Sequence, residues 1–73
     1  MEIYKNVNGD LNVFCYTIGS DFIDVQFKGT PQIYRYTYNS AGKENVDTMK
    51  KLAINGCGLN SFINRNVKYL YEK

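Results

Sequence analysis

Between residues 11 and 38 the chain alternates apolar and polar side chains, and after residue 38 it stops doing so. The alternation is visible in LNVFCYTI (11–18), FIDVQF (22–27) and QIYRYTY (32–38). Side chains at every second position share one face of an extended backbone, so a period of two specifies half-buried strands. β-branched and aromatic residues fill these runs, as pleated surfaces prefer. Turn-forming residues separate them: Asn8-Gly9-Asp10, then Gly19-Ser20, then Gly29-Thr30-Pro31. Asn-Gly is the strongest short hairpin signal, and Gly-X suits a two-residue turn. Short connections cannot build parallel crossovers. The expectation is a four-stranded antiparallel meander over residues 2–7, 11–18, 21–28 and 32–38.

Register decides which side the aromatic rings occupy. A turn at Gly19-Ser20 sets Tyr16 opposite Ile23 and Phe14 opposite Val25, all on one face with Phe27. An even loop at Thr30-Pro31 then pairs Phe27 with Tyr34 and Val25 with Tyr36, adding Tyr34, Tyr36 and Tyr38 to that face. An odd loop of three, Gly29 to Pro31, sends the tyrosines to the Phe22/Asp24/Gln26 side, because a one-residue slip inverts a strand. The even loop gathers the apolar side chains and is preferred. The second face keeps Val13, Cys15, Phe22 and Ile33.

Beyond Tyr38 the apolar spacing becomes three and four. Val46, Met49, Leu52 and Ala53 form one stripe, predicting a helix over 44–55 with Gly56 as its stop. Leu59, Phe62 and Ile63 predict a short helix over 59–66, and residues 67–73 fit either a helix end or a last strand. A meander followed by helices on one face is an α+β, two-layer plan. The 73 residues allow one domain, 1–73, and a chain this short buries only about 60% of its unfolded surface. Seven Tyr and four Phe are the expected means of enlarging so small a core.

The composition excludes much chemistry. Histidine is absent, which removes His-dependent triads, His metal sites and imidazole acid–base work. Cys15 and Cys57 lie far apart in no CxxC pattern, and no cofactor or metal is expected. Asp21 and Asp24 fall on opposite strand faces and form no dyad. Without a nucleophile, base and orienting group to assemble, no catalysis is expected. No apolar run is long enough to span a membrane, so a soluble, cytoplasmic protein is the expectation. The net charge of +2 is too mild to mark a dedicated nucleic-acid binder.

FIDVQFKG, then YRY, then a helix and GCGLNSFINRNVKYLY together resemble the KTSC domain, a short domain named for the C-terminal extension of some lysyl-tRNA synthetases. That domain also occurs as a free-standing bacterial or phage protein. Val25 and Phe27 match its strand, Gly29 its turn, and Tyr34 and Tyr36 its Tyr-x-Tyr. Gly56, Leu59-Asn60 and Ile63 match its later Gly, Phe-Asn and Ile, and Tyr69 or Tyr71 its closing aromatic. The likeness covers roughly residues 14–71. The Val-Pro that enters the helix in the family is absent, and the Arg after Ile is Asn64, with Arg65 beside it. The resemblance implies an RNA-binding module.

On that reading Lys50, Arg65 and Lys68 are the candidates for phosphate, Tyr34 or Tyr36 for base stacking, and Asn60 for a base edge. Each has a plainer alternative: rings packed beneath a helix, lysines on a solvated face, Asn60 as a cap. Arg35 alternates with Tyr34 and Tyr36 and so belongs to the opposite face. GCG reads as a tight corner between helices or as an anion nest. A protein-interaction module, with a homodimer that uses the second sheet face as one form of it, is the rival expectation.

Overall fold

A computed structural model describes residues 1–7 and 12–72. The chain forms β1 (Glu2–Ile3), β2 (Val13–Ile18), β3 (Phe22–Phe27) and β4 (Ile33–Thr37). Three α-helical segments follow: α1 (Tyr38–Ala41), α2 (Lys43–Asn55) and α3 (Leu59–Phe62), the last running into a π-helical turn, Ile63–Val67. The strands pair antiparallel in the order β1-β2-β3-β4. This is the expected α+β meander, with a longer and a shorter helix after the sheet. The Asn8-Gly9 turn and the first residue of the 11–18 strand lie outside the described residues.

The strand faces agree with the alternation, while the registers differ from those expected. Tyr16 pairs with Val25 and Ile18 with Ile23, so the turn centres on Ser20-Asp21 rather than Gly19-Ser20. Gly19 instead donates to the Phe22 carbonyl at 2.9 Å, and a Cβ there would meet the Phe22 ring. Likewise Val25 pairs with Tyr34 and Ile23 with Tyr36. Both hairpins are shifted by two residues, a step that by itself leaves side chains on their faces. Tyr34 and Tyr36 therefore do share the side of Ile23, Val25 and Phe27.

Phe14 and Val13 depart from the expectation. The ladder slips between Val13 and Cys15, a bulge that places one extra residue in β2. Val13, expected on the second face, is fully buried, and Phe14, expected in the core, is 43% exposed. β1 is also shorter than the expected 2–7. Asn6 adopts a left-handed backbone, φ 59°, which bends the chain off the sheet so that Val7 N–H donates to the Gly56 carbonyl.

β4 ends one residue early for a local reason. Thr37 caps α1: its Oγ1 accepts from Ser40 N–H at 2.9 Å, and Ser40 Oγ accepts from Thr37 N–H at 3.0 Å. This reciprocal box diverts Tyr38 from the strand into the first turn of a helix. The expected stripe on α2 is met, with Val46, Met49 and Ala53 buried against Ile23, Val25 and Tyr36 in one core. GCG is a corner between helices: Gly56 (φ 77°) stops α2 and Gly58 (φ 82°) opens α3. Tyr4 fastens the N-terminal segment there, its hydroxyl accepting from Leu59 N–H at 3.2 Å. Among the described residues, 68–72 form neither helix nor strand; Glu72 N–H donates to the Arg35 carbonyl on the outer edge of β4.

Candidate functional site

The tyrosines of the Tyr-x-Tyr-x-Tyr row have three different surroundings. Tyr36 is 1% exposed and belongs to the core. Burial pushes its hydroxyl pKa up to about 12, and Tyr34 and Tyr71 nearby add to the shift. It is unavailable as a stacking platform, which corrects that use of it. Tyr34 is half-buried and wedged between Phe27 and Tyr71, with ring centroids 5.6 and 4.9 Å away in edge-to-face contact. Tyr38 has left the sheet. Its hydroxyl donates to Asp47 at 2.7 Å and accepts from Lys50 at 3.3 Å.

Around Tyr34 the chain forms an open cleft of about 250 Å³. Phe27, Tyr34 and Tyr36 supply its sheet side, Ile63, Asn64 and Lys68 its helical side, and Tyr69 and Tyr71 the segment that follows. Among the described residues, no carboxylate side chain lines it. Tyr69 is 71% exposed, and the Lys68 ammonium lies 5.5 Å from its ring centroid. Asn64 and Lys68 are four residues apart across the π-helical turn, so both reach the rim. π-helical turns occur often at functional sites.

The candidates from sequence are thus divided. Tyr34, Tyr36 and Lys68 come together at the cleft. Lys50 lies toward the opposite end of β4, held by the Ser20 carbonyl at 3.0 Å and the Tyr38 hydroxyl. Its ammonium is also 3.9 Å from Asp47, and its side chain is only 16% exposed. Arg65 is exposed on the π-helical turn and does not line the cleft. Asn60 sits inside α3, whose cap position is Gly58. Asn64, Tyr69 and Tyr71 join the cleft without being among the site residues expected from sequence; the second Tyr-x-Tyr, at 69–71 and preceded by a lysine, is the sequence signal for them.

The other sheet face is occupied differently. Arg35 and Asp24 form a two-pronged ion pair across β3 and β4, at 2.8 and 3.0 Å, and the guanidinium lies 4.1 Å from the Phe22 ring centroid. The hydrogen bonds that Arg35 donates to the Asp24 carboxylate raise the Arg35 pKa above its ordinary value. Cys15 is buried, with its thiol 3.3 Å from Gln26 Oε1. Of the residues expected on this face, Val13 lies in the core instead, Phe22 lies under Arg35, and Ile33 is 49% exposed. Both cysteines are free thiols.

Among the described residues no cluster of His, Cys, Asp and Glu could hold a metal, and no helix is long and apolar enough to cross a membrane. Comparison with protein-family models, with curated proteins and with solved structures finds no match to this chain.

Proposed function

We propose that this is a non-catalytic module that binds single-stranded RNA in the cytoplasm through the aromatic cleft at the Tyr34 end of β4. The observation that carries the reading is the convergence of an exposed ring, a lysine and an amide on one cleft that no carboxylate side chain lines among the described residues. Bases stack on exposed tyrosines whatever their sequence, a nearby ammonium answers the phosphate, and an amide can meet a base edge. In this reading Tyr69 is the stacking platform, Tyr34 the wall behind it, Lys68 the phosphate contact and Asn64 the edge reader. Arg65, exposed beside Asn64, extends the phosphate track; Lys50 and Tyr36 serve the fold. The resemblance to the KTSC domain supports RNA as the nucleic acid. In that likeness the family's Arg position is Asn64, and here it is Asn64 that faces the cleft.

Fluorescence anisotropy with a labelled single-stranded RNA tests this. Binding should weaken steeply as salt rises, and Lys68→Ala should reduce the slope of log affinity against log salt by about one. Absence of binding at low salt, or a Lys68→Ala chain with unaltered slope, defeats the proposal.

A further inference from the structure

The sheet treats its two edges unequally. The outer edge of β4 is engaged by Glu72, and its neighbouring face carries the Asp24–Arg35 pair. β1, the opposite terminal strand, has no such cover among the described residues. Tyr4 N–H donates inward to the Phe14 carbonyl at 3.0 Å. Strand alternation therefore turns the N–H and C=O of Ile3 outward. Apolar side chains are exposed toward the same edge: Met1 (53% exposed), Ile18 (37%) and Ile54 (57%) line one shallow cleft, and Ile3 (64%) and Phe14 (43%) are exposed in β1 and in β2 beside it. Edge strands are ordinarily blunted by lysine, proline or a covering segment; Glu2 is the only charge in β1.

We propose that β1 is the surface through which two copies of this chain associate, antiparallel about a two-fold axis at Ile3, joining their sheets into one of eight strands. The edge is self-complementary. Ile3 N–H of each copy meets the Ile3 carbonyl of the other, and the two Ile3 side chains pack together, as an isologous contact requires. Glu2 then faces Tyr4 of the second copy rather than Glu2, so like charges are not opposed. Met1 and Ile3 are the exposed apolar side chains on the edge segment itself, so the buried area is smaller than that of a standard interface. The association is accordingly weak and reversible. This surface is separate from the aromatic cleft and does not depend on RNA binding.

Sedimentation of the full chain from about 10 μM to about 1 mM, with amide exchange over the same range, tests it. The expected result is a doubling of mass, with exchange at the Ile3 amide slowing in parallel. Ile3→Lys, a change at an exposed position, should stay monomeric with an unchanged circular dichroism spectrum. Ile33→Lys, at an exposed position on β4, should associate like the parent. Association that survives in Ile3→Lys, or a doubled mass with no slowing at Ile3, overturns the proposal. A parent chain monomeric at the highest concentration also overturns it and leaves the edge to an extended segment of a different protein.

Discussion

The two ends of β4 begin with the same residue type and finish as opposites. At one end Tyr38 is closed off: Asp47 accepts its hydrogen bond, Lys50 donates to its oxygen, and the Lys43 ammonium lies 5.4 Å from its ring centroid. At the other end Tyr34 faces a cleft whose rim carries Asn64, Lys68 and the exposed ring of Tyr69. The difference comes from what the following helices present. α2 offers carboxylate and ammonium groups within reach of a phenol, and the π-helical turn and its tail offer more rings. A tyrosine's neighbours, more than its place in a strand, decide whether its polar tip is spent on the fold.

Substituting the residue between the two ends should have the largest effect. Tyr36→Ala removes a fully buried ring, which costs about 3–5 kcal/mol in cores of this kind. In a domain of this size that is most of the stability, and a urea melt should show the chain largely unfolded before denaturant is added. A cooperative transition near the parent midpoint would mean that the ring is not the hinge between the two ends.

Alkaline titration sharpens the same point. The neutral phenol of Tyr36 is favoured in the folded state, with a pKa of about 12 against 10.0 for a free tyrosine. Its contribution is complete below pH 10, is lost as pH rises from 10 to 12, and amounts to about 2–3 kcal/mol. Urea midpoints should fall across that window, and Tyr36→Phe should flatten the fall relative to the parent. Tyr69→Phe should not.

At the open end, Tyr69→Ala should leave the melting temperature almost unchanged and weaken RNA binding by about 1–3 kcal/mol, the worth of one stacked base. An equal loss of stability would move Tyr69 from the interface into the core. The smallest effect belongs to the closed end. Tyr38→Phe removes two hydrogen bonds at a half-buried site and should cost about 1 kcal/mol by chemical denaturation. RNA affinity should not change. Asp47, whose pKa is held below the ordinary carboxylate value first by Lys43 and then by Tyr38, gives the matching acid signature. Stability should decline as pH falls through that lowered pKa, and less so in Tyr38→Phe.

Much of the architecture was legible because alternation and helical spacing are local signals. The runs at 22–27 and 32–38 and the stripe Val46, Met49, Ala53 each declare their element without reference to the rest of the chain. The ends of elements were less legible where capping chemistry competes with a strand pattern: Thr37 and Ser40 overrule the alternation at Tyr38. The bulge at Phe14 has no local signature, since it depends on how β2 lies against β3. The cleft was half legible. Tyr34 and Lys68 could be nominated, but the convergence of residues 27, 34, 64 and 69 is a tertiary fact. Lys50 illustrates the opposite failure, a cation that looks free in sequence and is claimed by Ser20 and Tyr38 in the fold.

The two hairpin registers carry one more consequence. Inside-versus-outside is a parity, and parity is indifferent to a double step. A chain written in strict alternation therefore tolerates sliding by two at either turn without exchanging its dry side for its wet one. Only a single added residue is detected as an error, and this molecule contains one: it surfaces at Phe14 as a ring expelled into water, while Val13 takes the vacant place within.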